Sequence, residues 1–205
     1  MNYLTSSNVI DYDHAVIDDL FDELNTDNSD ATFVKNAFHF VRDSIQFEFS
    51  PFEDKISDTA IKKKGQCYHK TNLLVGLCRK KGIKAGIKYS IIDIQVMEPV
   101  FSEEILELFK SEPIGHFFPA IMIEGEWVSV DPMFDTELLE YSNRLNWDNA
   151  KDWDGNQFAK LPESLILSEQ SEVLESAFKE NEIPHNPIVD KMNERLKSIR
   201  NGIAK

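Results

Sequence analysis

The stretch Gly65-Gln66-Cys67-Tyr68-His69-Lys70-Thr71-Asn72-Leu73-Leu74-Val75-Gly76-Leu77-Cys78-Arg79 constrains this chain more than any other. Gly65 permits a sharp backbone turn. Beyond it, Cys67, Thr71, Leu74 and Cys78 share one stripe of a helix predicted over residues 67–81. Lys80-Lys81-Gly82 closes that helix, with basic residues at its negative end and glycine at C′. Cys67 therefore stands in a first helical turn, where free backbone N–H groups and the positive dipole end favour a thiolate, the reactive form of cysteine. Its own N–H lacks an intrahelical partner and is free to face a developing oxyanion. A cysteine inside an apolar stripe is otherwise a small hydrophobe, which is the reading for Cys78. A nucleophile needs a base and an orienting group, and these must come from elsewhere in the chain.

Before this stretch the pattern is helical. Val16, Ile17, Leu20, Phe21 and Leu24 mark a helix over about 13–24. A polar break follows, and Ser29 or Asp30 caps a second helix carrying Phe33, Val34, Ala37, Phe38, Val41 and Ile45. Residues 47–57 contain Pro51 and read as a loop. Residues 58–64 read as a short helix closed by Gly65.

After the central helix, residues 85–96 read as a strand, and Ser102 caps a short helix to about 110. From Gly115 to Pro132 the chain reads as a β-hairpin turning at Glu124-Gly125. With a two-residue loop, Ile123 pairs with Glu126 and Asp131 falls diagonal to His116 on the same face. Diagonal partners lie about 7–8 Å apart, within reach of side chains. A loop one residue longer puts the two on opposite faces, so the pairing requires a two-residue loop, a four-residue one of equivalent parity, or a compensating bulge. Farther on, Trp147 and Trp153 read as packing a coil onto the body. A helix is expected over 171–180, and another from Asn186, with Ile188, Met192, Leu196 and Ile199 buried. The basic cluster Lys191, Arg195, Lys197 and Arg200 reads as its exposed face.

Three polar residues stand where packing does not explain them: Cys67 at a helix start, His116 after a glycine, and Asp131 before a proline. Together they suit thiol catalysis, with His116 as base, then acid, and Asp131 orienting its ring. Their order resembles the transglutaminase-like superfamily, whose core is papain-like. Gly65-Gln66-Cys67-Tyr68 is similar to the Gly-Gln-Cys-Trp motif of transglutaminases. Leu73 through Ala85, Gly115-His116, Trp127 through Pro132, and Phe40-Val41-Arg42-Asp43-Ser44-Ile45 resemble the family's flanking helices and strands. Phe117-Phe118-Pro119 departs from the aromatic-then-Glu that usually follows the family's histidine. Lys84 departs from a proline often found after Gly-Ile.

The resemblance covers about residues 33–135 and implies an α+β papain-like core with the nucleophile helix packed on an antiparallel sheet. The residue pattern adds helices at both ends of a single domain, 1–205, including a C-terminal helical extension over about 136–205 that resembles no part of the family. It implies a nucleophile at Cys67, a base at His116 and an orienter at Asp131, with acyl transfer or hydrolysis of an amide through a thioester. The substrate is a peptide or other amide, and the acceptor is water or an amine. Gln46, Gln66 and Tyr68 are the speculative oxyanion or supporting residues. A catalytically silent binding module of the same fold is the alternative.

Composition removes other classes. The formal net charge of -14 disfavours nucleic acid and anionic membranes. No apolar run approaches the roughly 20 residues that span a bilayer, and the N-terminus has no signal-peptide pattern, so a soluble, cytoplasmic protein is expected. Cys67 and Cys78 lie roughly 16 Å apart along one helix, too far for a disulfide. A metal site from Cys67, His69, Cys78 and His116 is disfavoured because Cys67 and His69 point to different sides of that helix and Cys78 lies three turns away. No calcium loop is present, and no cofactor is expected.

Overall fold

The computed structural model describes residues 2–107, 114–177 and 187–203. Two amphipathic helices open the chain: α1 (Ala15–Leu24) and α2 (Asp30–Ser44). Ser29 caps α2, its side chain accepting from the Thr32 N–H at 3.3 Å. Both bury the stripe expected from their periodicity, Ile17, Leu20 and Leu24 on α1 and Phe33 through Val41 on α2. Strand β1 (Gln46–Phe47) then leads through a loop to α3 (Ile56–Lys62). A second short strand, β2 (Lys64–Gly65), pairs with β1 in parallel.

Helix α4 (Cys67–Lys81) packs against α1, α2 and α3, and against the two central strands. The single stripe read from the sequence understates its burial, since every residue from Tyr68 to Arg79 is buried. Polar side chains on α4 are each committed. Lys70 donates to the carbonyls of Arg42 at 3.0 Å and Ile45 at 2.6 Å, satisfying the end of α2. Burial holds its amine down to about 7. Arg79 donates to the carbonyls of Thr5 and Ala85, both at 2.9 Å, and of Glu175 at 2.5 Å. Gly82 takes the left-handed C-cap with φ 88°.

Gly65 corrects the sequence reading. The left-handed residue that ends α3 is Lys63, with φ 53°, and Gly65 is extended in β2. Glycine is needed for space: a Cβ there would lie 2.5 Å from the Cβ of His69. That atom is fixed to helix backbone and cannot swing away. Gly65→Ala is therefore expected to cost about 1–3 kcal/mol, read as a lower denaturant midpoint at unchanged m-value.

Strand β3 (Ala85–Ile92) and the hairpin of β4 (Ile114–Ile123) and β5 (Glu126–Ser129) form an antiparallel sheet. The hairpin has the two-residue loop, with φ 51° at Glu124 and 91° at Gly125, as a type I′ turn requires. Ile123 pairs with Glu126, the expected register. A short 3-10 turn (Ile94–Met97) replaces the predicted end of β3, and α5 (Glu103–Glu107) occupies the excursion; residues 108–110 of the expected helix lie outside the described residues.

The C-terminal part is less helical than expected. After α6 (Thr136–Tyr141) the chain adds β6 (Ile166–Glu169) to the sheet edge, giving the order β5-β4-β3-β6. Residues 171–177 form a bridge, Leu174 to Ile87, where a helix was predicted. Gly86 makes this possible, since a Cβ there would lie 2.7 Å from the Leu174 carbonyl oxygen. Residues 178–186 of the expected helix and break, His185 among them, lie outside the described residues. Helix α7 (Pro187–Arg200) buries Met192, Leu196 and Ile199. Its basic residues divide: Lys191 and Lys197 are exposed, while Arg195 donates to the Tyr141 hydroxyl at 2.7 Å and Arg200 pairs with the buried carboxylate of Asp135. Trp153 packs on Phe38 at 5.0 Å, and Arg144 lies 4.3 Å over Trp147.

Candidate active site

The hairpin register delivers Asp131 to His116. His116 lies on β4, buried, opposite Ser90 of β3. The chain after β5 keeps the ladder through the Val130 N–H to the Pro119 carbonyl at 3.0 Å. Asp131 then falls diagonal to His116, and its Oδ2 accepts from His116 Nε2 at 2.7 Å. The other oxygen, Oδ1, accepts the Met133 N–H at 3.0 Å. A clamp from far along the chain fixes this aspartate: the Asp131 N–H donates to the Ala159 carbonyl at 2.6 Å, and the Ala159 N–H donates to Ser129 at 3.1 Å.

With Nε2 committed, the free ring nitrogen is Nδ1, which is buried and has no hydrogen-bond partner. Cys67, half-buried at the first position of α4, lines the same cavity as His116. Helix and strand are locked together one turn below it, where the Thr71 hydroxyl donates to the Phe117 carbonyl at 3.0 Å. Burial alone lowers the basicity of His116. The charge and hydrogen bond of Asp131, and then Cys67, outweigh it and push the imidazole up to about 10. Cys78 stays in the core, where burial pushes its thiol up to about 12.

The supporting residues separate. Gln66 lines the cavity, buried, and its Oε1 has no partner. Gln46 is a correction: it is exposed and lines a different depression with Asp43, Lys63 and Glu137. Side chains alternate along extended backbone, so the placing of Phe47 in the cavity sends Gln46 to the other face. Tyr68 is a second correction. One residue past Cys67 on a helix, it turns into the core against Phe52 at 5.0 Å and Phe117 at 5.8 Å, and does not line the cavity.

His69 is also tied elsewhere, its Nε2 2.9 Å from the Pro51 carbonyl. The four residues of the metal alternative are thus not brought together, and no group of three or more His, Cys, Asp or Glu suited to a metal occurs among the described residues. Among the described residues, no helix is long and apolar enough to cross a membrane.

Sequence reasoning missed the cavity itself. Phe49 and Phe52 reach it from the predicted loop, and Met192 from α7. Asn193 holds Phe49 in place through both its backbone groups, at 3.0 and 2.9 Å. The Phe-rich composition of residues 47–52 was the one local signal.

A helix with Cys67 at its first turn packed on an antiparallel sheet, with the imidazole of His116 on β4 and the carboxylate of Asp131 just past β5, defines a papain-like α+β fold. The chain belongs to the transglutaminase-like superfamily, whose family model matches residues 18–132, more than half of its length. The match begins upstream of the motif-based boundary at 33 and takes in part of α1. A search of curated proteins returned no match. Among solved structures, a protein from Cytophaga hutchinsonii, provisionally designated a cysteine protease, is similar at 16% identity with a TM-score of 0.46. The alignment covers 63% of this chain and 40% of that one.

Proposed function

We propose that this protein catalyses cysteine-dependent acyl transfer, with Cys67 attacking the carbonyl of an amide, or an ester of comparable shape, and passing the acyl group to water or an amine. The observation that carries this reading is the buried His116–Asp131 pair, whose free Nδ1 shares a cavity with Cys67. His116 takes the thiol proton, and Asp131 holds the resulting imidazolium in orientation. The sulfur forms the C–S bond. The C–N bond of the substrate breaks as the imidazolium gives its proton to the departing amine. Water or an amine then attacks the thioester, its proton passes to His116, and the thiolate leaves.

The tetrahedral oxyanion needs donors. The Cys67 N–H, at the first helical position, is one. The Gln66 amide is the second. Half a turn about its terminal bond exchanges the unpartnered Oε1 for an N–H donor at the same buried position.

Asp131→Asn tests the assignment and fixes the sign of the pH dependence. Wild-type activity on an amide is expected to fall at high pH as the imidazolium, held up to about 10, loses its proton. The asparagine removes the raising charge and leaves burial, which lowers His116, so the high-pH limb moves down. The rate constant falls by about two to four orders of magnitude. An unchanged limb in the Asn variant contradicts the role given to Asp131. The acyl-enzyme is visible by intact mass as an adduct on the peptide containing Cys67.

A further inference from the structure

Cys67 opens onto a cavity of about 220 Å³. Its walls come from distant parts of the chain: Phe47 of β1 and Phe49 just past it, Ile94 and Met97 after β3, Leu106 of α5 and Met192 of α7. Among the described lining residues, Gln66, Cys67 and His116 are the ones with polar side chains. Gln66 Oε1 and His116 Nδ1 are buried without partners, so the site's unmet polar capacity belongs to the reacting groups. A dry cavity of about 150 Å³ lined by Leu, Ile and Phe binds benzene, and away from the three polar groups the walls of this cavity are of the same apolar kind. An occupant with charged or amide groups beyond the reacting carbonyl would bury them without partners, at a cost in binding. Two of the walls are held by specific contacts. Asn193 pins Phe49 to α7, and Arg200 donates to the Phe47 carbonyl at 3.1 Å.

We infer that the cavity is the acyl-group pocket, and that the group carried on Cys67 is an apolar aliphatic acyl chain rather than a polar side-chain amide. This rests on the reading of Cys67 as the acyl-accepting nucleophile. The carbonyl carbon sits at the sulfur, facing Gln66 and His116, and the alkyl chain lies against Phe47, Met97 and Met192.

The test uses 4-nitrophenyl acetate, butanoate, hexanoate and octanoate in single-turnover acylation. The thiolate forms the C–S bond and nitrophenolate leaves with the C–O electron pair. The acyl-enzyme is located by peptide mass, and rates are divided by those of free cysteine with the same esters. Each buried methylene is expected to raise the normalised rate roughly fourfold, so hexanoate exceeds butanoate by about an order of magnitude until the pocket is full. Met192→Trp, and separately the half-buried Ile94→Trp, shorten the pocket and are expected to lower the hexanoyl-to-acetyl ratio by about tenfold. The ratio is taken within one sample, so a partly unfolded variant still reports it.

A flat series with Cys67 acylated overturns the acyl-pocket assignment and leaves the proposed function standing. A rising series unchanged in both Trp variants also overturns it, by placing the chain elsewhere. No acylation, together with iodoacetamide alkylation of Cys67 that is the same in wild type and His116→Ala, overturns the proposed function as well.

Discussion

Replacing His116 with alanine is expected to slow acylation of Cys67 by about a hundred- to ten-thousand-fold, the usual contribution of a positioned acid–base group. In the proposed mechanism the base is Nδ1, since Nε2 is held by Asp131 at 2.7 Å. Removing the ring removes the group that takes the thiol proton and the positive charge beside the sulfur. Alkylation by iodoacetamide, resolved by peptide, separates this from unfolding. Cys78 lies in the core with its thiol pushed up to about 12 and stays unlabelled while the fold holds. Slow labelling of Cys67 with Cys78 silent is the expected result; equal labelling of Cys67 in both proteins sinks the assignment. Stability changes too. His116 binds its proton more tightly folded, at about 10, than at its ordinary 6.5. This contribution is complete below about pH 6.5 and is lost as pH rises through 10. The stability gap between wild type and the alanine variant narrows over that window, which denaturant titrations at several pH values measure.

The largest loss of stability is expected at Asp135, outside the proposed chemistry. Its Oδ2 accepts the Phe47 N–H at 2.8 Å and pairs with Arg200, and its Oδ1 accepts the Leu138 N–H at 3.2 Å, capping α6. One carboxylate thus joins β1, α6 and α7. Asp135→Ala leaves a guanidinium that is 8% exposed with the exposed Glu137 carboxylate at 3.5 Å and the Phe47 carbonyl at 3.1 Å as its remaining partners, and is expected to cost about 3 kcal/mol, the low end for a broken buried pair. Arg200→Met in the same chain is expected to recover part of that loss, because it removes the stranded charge. Guanidinium titration of the two single variants and the double variant measures the coupling. A cost below about 1 kcal/mol for Asp135→Ala would mean that the pair behaves as a screened surface contact.

How much of this was legible in the sequence depended on sequence distance. The helix of Cys67 is local: a cap position, a 3.6-residue period and a glycine stop lie within sixteen residues. The approach of Asp131 to His116 is nearly so, because a two-residue turn sets the parity of every pair behind it. Gln46 and Tyr68 failed as oxyanion candidates because nearness in sequence to Cys67 does not set the side on which a side chain emerges. The expected helix over 171–180 yielded to sheet pairing at Leu174, where the absence of a side chain on Gly86 lets the backbones meet.

By itself, then, the sequence determined the helix that begins at Cys67 and the hairpin turning at Glu124-Gly125, with its register once the loop has two residues, since each follows from short-range geometry. Only the tertiary structure decided what surrounds the sulfur. The Ala159 clamp on Asp131, the Asp135–Arg200 tie and the apolar walls at Phe47, Met97 and Met192 join residues far apart in the chain. An apolar residue has the same pattern whether it fills a core or lines a cavity. The difference lies in whether another side chain occupies the space opposite, which is settled by packing.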